Sequence, residues 1–244
     1  MKKPVFLSLL LIIINVALLM VNNVFAATPV VSVPLDEEEK AELKNGVSIP
    51  VETIMQNPEL PNGCEITSLT AVLQFCGYSI SKTEMADDYL TKVPFFWKDG
   101  KLIGGNPYEA YAGDPRRKDG FFSYAPPIVD AARTYIADVG GKEIVKDLSG
   151  STPGEIMEYL QQGIPVVIWV TLDLSPPKVT YSWHVESTDE KFQAPVNLHA
   201  VVLNGYENGL VHVMDPLKGQ VTHDANDFFN SYIELGKHAL VVIP

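Results

Sequence analysis

The chain has 244 residues, 46% of them hydrophobic, and carries 18 basic against 30 acidic side chains, a formal charge of −12. That length suffices for one domain with a sizeable core. Such acidity excludes neither class of soluble enzyme nor binding module, but it makes nucleic acid and anionic lipid poor partners.

Lys2 and Lys3 precede an apolar run from Val5 to Val21, broken only by Ser8 and Asn15, and Val24-Phe25-Ala26 supplies small residues for cleavage. This order of basic, apolar and small segments predicts a secretory signal over 1–26 and a secreted or extracytoplasmic product. An uncleaved membrane anchor is the alternative, since the run is long enough to span a bilayer. The segment holds both lysines and no acid, so its removal leaves 16 basic and 30 acidic side chains, a charge of −14. Residues 27–46, with Asp36-Glu37-Glu38-Glu39, read as a solvated linker to one domain over 47–244.

Asn57-Pro58 and Leu60-Pro61-Asn62-Gly63 are turn chemistry. Ile66, Leu69, Leu73 and Cys76 then recur at helical spacing, with Gly77 placed to end the helix. Cys64 and Cys76 lie on that helix about 18 Å apart, too far for a disulfide that needs about 4.4–6.8 Å. Ser81-Lys82-Thr83-Glu84 is a capping box opening a second, shorter helix. Residues 93–124, rich in Gly, Pro, Tyr and Phe without a period, read as a long ordered surface loop. Pro126 and Pro127 suit the first turn of a helix to about Asp138, stopped by Gly140 and Gly141. Ile144 to Leu148 is a strand, Thr152 to Gly163 a capped helix, and Val166 to Leu172 a buried strand. After a polar stretch (174–194), Val196–Tyr206 and Leu210–Met214 flank Asn208-Gly209 as a hairpin. A helix from about Ala225 to Glu234 and a strand from Ala239 to Ile243 follow. Helices come mostly first and strands mostly last, which predicts an α+β fold.

Cys64 stands at the first turn of an apolar helix, where unpaired N–H groups and the helix dipole favour a thiolate, the form that attacks carbonyls. Gly63 before it suits a positive-φ turn. Among five histidines, His184, His223 and His238 read as surface residues. His199 precedes Ala200-Val201-Val202-Leu203 on a strand that must be largely buried, and a buried imidazole needs partners. A two-residue turn at Asn208-Gly209 would set Glu207 opposite Leu210 and send His199 and Asp215 to opposite faces. A three-residue loop with Gly209 in a bulge sets Tyr206 opposite Leu210, Asp215 opposite Val201 and diagonal to His199, and His212 opposite Asn204. Both loops are common; the three-residue form is preferred because it unites His199 and Asp215.

The segment ELPNGCEITSLTAVLQFCGY resembles the nucleophile region of the peptidase family typified by bacteriocin leader peptidases, in its free-standing bacterial branch. GDPRRKDGFFSYAPPIV, LHAVVLNGYENGLVHVMDPLKG and LGKHALVVI resemble later blocks, in order, across nearly all of 47–244. The resemblance implies a papain-like cysteine peptidase fold, with an N-terminal helical half carrying the cysteine and a C-terminal antiparallel β half carrying the histidine. It places the nucleophile at Cys64, the base at His199 and the third member at Asp215. The oxyanion glutamine falls on Gln56, with Asn57 and Asn62 as rival donors. Bacteriocin leader peptidases are fused to exporters and cut double-glycine leaders inside the cell. Here an export signal stands in place of an exporter, so that substrate is not carried over. The expectation is an exported cysteine peptidase-like hydrolase acting on a peptide or protein, without metal or cofactor. Membrane contact is expected only through the N-terminal segment. A cell-wall peptide amidase of the same design, or a peptide-binding module that keeps the groove without catalysis, are the alternatives.

Overall fold

The computed structural model describes residues 46–244. The signal expected over 1–26 and the linker expected over 27–46, Gly46 apart, lie outside them. Val47–Ser48 form a short strand, β1, and Cys64–Phe75 form helix α1. The apolar stripe of α1 is buried as its spacing predicts. So are Thr67, Ser68 and Thr70, because α1 is covered on more than one side. Two of those hydroxyls are satisfied: Ser68 Oγ donates to the Ala200 carbonyl at 3.2 Å and Thr70 Oγ1 to the Ile66 carbonyl at 2.7 Å. Gly77, at φ +95°, takes the left-handed conformation that ends the helix. The capping box at Ser81–Glu84 forms, but the helix it opens is shorter than expected. Lys82–Glu84 pass directly into a π-helical turn, Met85–Tyr89.

The expected surface loop over 93–124 is a different thing. It carries β3 (Phe96–Lys98), β4 (Lys101–Gly104) and β5 (Tyr111–Ala112), while β2 (Lys92–Val93) runs into it and pairs in parallel with β5. Tyr111, Ala112, Phe122 and Ser123 are buried. Strands of two to four residues are too short to show a period, and β4 finds its partner in the later strand β8 (Val179–Val185). Rings from both segments then pack edge to face, with Phe95, Phe121 and Phe122 around Trp183. The stretch read only as polar, 174–194, folds into the antiparallel hairpin of β8 and β9 (Lys191–Pro195), completing a four-stranded sheet in the order β3-β4-β8-β9.

The remaining elements follow the sequence closely: α2 (Ala125–Asp138), β6 (Ile144–Asp147), α3 (Pro153–Gln161) with its Thr152 capping box, and the fully buried β7 (Val166–Thr171). Then come β10 (Leu198–Glu207), β11 (Leu210–Asp215), β12 (Gly219–Asp224), α4 (Ala225–Glu234) and β13 (Ala239–Ile243). The main sheet runs β12-β11-β10-β7-β13-β6, all antiparallel, and β1 takes the far end of β10 beyond its pairing with β7. Helix α1 packs on β10 and β7, with α2 against α1. The fold is α+β and papain-like: a helical first half delivers residue 64 to a sheet built mostly from the second half.

The hairpin corrects the preferred register argument. The turn is the two-residue form, with Glu207 opposite Leu210 and with Asn208 (φ +52°) and Gly209 (φ +79°) both left-handed, as the twist of a two-residue hairpin favours. The extra residue sits inside β10 instead. Gly205 pairs with His212 and Leu203 with Val213, so Asn204 is bulged out of the ladder; His212 is therefore opposite Gly205, not Asn204. Beyond that bulge the pairing is the one that sets Asp215 diagonal to His199. The bulge is tied down locally: Asn204 Nδ2 donates to the Ile49 carbonyl at 3.1 Å and to Gln220 Oε1 at 3.3 Å. Gly205 lets β1 lie close, since a Cβ there would be 2.3 Å from the Val47 carbonyl oxygen.

Candidate active site

Cys64 is the first residue of α1, so its own N–H and those after it point out of the helix end. Gly63 is not at positive φ as expected; it has φ −106°. A side chain is excluded there because its Cβ would lie 2.6 Å from Leu60 Cβ. The sulfur is buried against β10, where the Ala200 N–H donates to Sγ at 3.4 Å. Ala200 follows His199, so the strand that carries the imidazole is the one that touches the thiol.

His199 and Asp215 are both almost fully buried and meet directly, His199 Nε2 to Asp215 Oδ1 at 2.8 Å. Oδ1 also accepts the Leu217 N–H at 2.7 Å, and Lys218 Nζ lies 3.5 Å from Oδ2. Burial opposes ionisation of Asp215, but the His199 bond and charge, the Leu217 N–H and the Lys218 ammonium outweigh it and hold the carboxyl at about 2. An ionised carboxylate only accepts, so Nε2 carries the hydrogen and Nδ1 is the nitrogen left for the cleft. That cleft, of about 510 Å³, is lined by Gln56, Asn62, Cys64 and His199 together, with Phe121, Tyr181 and Val196 among its walls.

Gln56 is buried and fixed at both ends. Its N–H donates to the Pro216 carbonyl at 2.8 Å, next to Asp215, and its Nε2 donates to the Pro61 carbonyl at 2.8 Å. Its Oε1 is buried without a hydrogen-bond partner. Of its rivals, Asn57 is exposed in the cis Asn57-Pro58 turn, and Asn62 Nδ2 is committed to the Arg117 carbonyl at 2.8 Å. The structure thus brings Gln56, Cys64, His199 and Asp215 to one place.

Residues 48–240 match the sequence profile described as the Peptidase_C39 like family. The chain belongs to that family. It is 31% identical over 209 residues to an uncharacterized protein of Bacillus subtilis, YvpB, covering 83% of this chain and 79% of that one. A crystal structure of a Bacillus anthracis protein described as a C39-like peptidase superposes with a TM-score of 0.72 at 29% identity, covering 82% of this chain and 98% of that chain. A double glycine motif protease from an AMS/PCAT transporter, solved with its leader peptide, aligns at 19% identity and a TM-score of 0.46 over 81% of this chain and 94% of the other. Membership supports a cysteine peptidase-type hydrolase acting on a peptide or protein.

Two buried groups of this C39-like protein escaped the sequence, and one of them is in the site. The first is Glu65, wholly buried beside the nucleophile candidate, whose Oε2 accepts the Cys64 S–H at 3.3 Å. The only signal was an acid in the second position of an apolar helix, which reads as ordinary dipole complementation. It also changes the expected ionisation of Cys64. Burial, then the Glu65 carboxylate, push the thiol well up, and the N–H groups of Ala200 and Glu65 only partly offset them. The helix tip does not leave the resting thiol at low pKa. Its hydrogen-bond partners among the described residues are Glu65 and Ala200, not the His199 ring.

The second is His238, expected at the surface but buried and stacked on Tyr124 with ring centroids 4.1 Å apart; burial lowers its pKa to about 4. His223, expected in a turn, is half-buried in β12, and His184 is half-buried beside Asp189. Cys76 is a free, half-buried thiol at the far end of α1. Among the described residues no group of three or more His, Cys, Asp or Glu side chains could hold a metal ion, and no helix is long and apolar enough to cross a membrane.

Proposed function

We propose that this C39-like protein is an exported cysteine peptidase that cleaves a peptide or amide bond by acyl transfer to Cys64. The observation that carries the reading is the 2.8 Å contact of His199 Nε2 with Asp215, behind a ring that shares its cleft with Cys64 and Gln56. In the reacting form the Cys64 thiolate attacks the carbonyl carbon, and the proton it has given up sits on His199 Nδ1. Asp215 holds the ring in that orientation and stabilises the imidazolium. The oxyanion receives the Cys64 N–H and the Gln56 amide hydrogen that Pro61 does not use. His199 then protonates the leaving amine, and water, deprotonated by His199, hydrolyses the thioester.

The test is Cys64→Ala against a peptide library read by mass spectrometry. Turnover should vanish while the melting temperature stays near that of the parent; full residual turnover would rule the mechanism out. Amine release from muropeptides alone would move the substrate to cell-wall peptide. A peptide-like, thiol-directed electrophile that fails to label Cys64 would favour a binding module without catalysis.

A further inference from the structure

Among the described residues Glu65 and Asp215 are the buried acids, and only Asp215 has Lys218 and His199 beside it. Glu65 is 0% exposed, and both oxygens are spoken for: Oε1 accepts the Ser123 N–H at 3.0 Å and Oε2 the Cys64 S–H at 3.3 Å. Ser123 is itself anchored, its carbonyl accepting the Trp169 indole N–H at 2.9 Å from the middle of β7. The carboxyl is thus fixed by the core from one side and aimed at the sulfur from the other. The titratable groups around it are few. Cys64 touches it from α1; the Tyr111 phenol faces it from β5, with Asp114 beyond; and β10 presents His199 and Ala200 across the sulfur. A carboxylate left in such a setting is costly. An amide of the same shape would fill the space and still accept from Ser123. What the acid adds is a charge.

We propose that Glu65 is a positioning residue that decides when Cys64 becomes a nucleophile, its carboxylate holding the S–H proton and keeping the sulfur neutral at rest. With Glu65 ionised, the thiol donates to Oε2 and a second negative charge on sulfur is opposed. With Glu65 protonated, its O–H can donate to sulfur, and the Glu65 share of the opposition to thiolate disappears, leaving that of burial. Burial, offset in part by the backbone N–H groups and by Cys64, raises Glu65 to about 7, so the charge beside the sulfur changes in the neutral range. This deepens the proposed function, because it matters only if Cys64 is the nucleophile.

The experiment reads sulfur directly. Glu65→Gln and parent protein are alkylated with iodoacetamide across pH 5–10, and the rate at Cys64 is followed by peptide mapping, with Cys76 as internal reference. The variant's midpoint should fall by about one pH unit or more, as removal of a neighbouring like charge requires, while Cys76 keeps its profile. A Cys64 profile that coincides with the parent's, or moves upward, overturns the proposal. If the variant does not fold, the glutamate carboxyl titration in 13C-labelled Cys64→Ala protein decides. Loss of the S–H donor should raise the Glu65 midpoint above the parent's, and an unchanged midpoint overturns the proposal. Neither readout needs a cleaved substrate, so failure here is distinguishable from failure of the peptidase reading.

Discussion

Asp215 shows how a single side chain ties stability and chemistry to the same contacts. Its carboxyl lies at about 2, below the usual 3.8, so the fold favours the charged form. A group depressed in this way stabilises the protein above its unfolded pKa, and that contribution is lost as pH falls from about 4 toward about 2. Asp215→Asn should therefore melt below the parent at pH 6, with the gap narrowing through that acid window; a constant gap in pH-dependent melts would show that the pair does not contribute. The same variant should lose about two to four orders of magnitude in kcat/KM, because an asparagine can hold the ring in the wrong tautomer. Gln56→Ala should cost about tenfold to a thousandfold in kcat and little in KM, as loss of an oxyanion donor does; a loss confined to KM would remove Gln56 from that role. Cys64 and His199 can be singled out from sequence because each breaks a local rule, a thiol at a helix tip and an imidazole opening an apolar strand; Asp215, in an ordinary Asp-Pro turn, is reached through its pairing with His199 and through the family resemblance. Glu65 breaks none, and His238, which opens an apolar strand as His199 does, reads from sequence as a surface residue. Their partners, Ser123 and Tyr124, come from segments with no sequence proximity to them, and burial of that origin leaves no local trace.

At the scale of elements, the bulge at Asn204 matters more than the turn that follows it. The hairpin turn sets one register and the bulge shifts it, so the two together deliver the His199–Asp215 pairing that neither gives alone. Gly205→Ala tests how tightly this is built. The added Cβ would lie 2.3 Å from backbone, the Val47 carbonyl, and backbone does not yield cheaply. The variant should lose about 1–3 kcal/mol, read as a lower urea midpoint with an unchanged slope; an unchanged midpoint would mean that β1 is dispensable. Helices α2 and α4 and strand β13 were legible because their boundaries are local, in a Pro-Pro first turn, an Asp224 cap and an uninterrupted apolar run. The strands within 92–112 were not. β2 finds β5 only across an intervening hairpin, β4 is completed by the later β8, and two to four residues show no periodicity of their own. The bulge was illegible for a related reason: Asn204 is an asparagine in an apolar strand, and only the approach of Ile49 and Gln220 shows why it is there.

For the molecule as a whole, the balance of charge and the N-terminal pattern belong together. Export is our proposal for residues 1–26, and it predicts a processed chain beginning at Ala27, found outside the cytoplasm by N-terminal sequencing. A chain retained with membranes and still beginning at Met1 would instead make that segment an anchor. The helical half and the sheet half contribute unequally to the site. Cys64 and the strand residue that touches its sulfur are 136 positions apart, and the Asp215 carboxylate comes later still. A ribosome therefore finishes the thiol long before it makes the imidazole, and every chain interrupted between the two carries the first without the second. On the proposed mechanism such fragments are catalytically mute by construction.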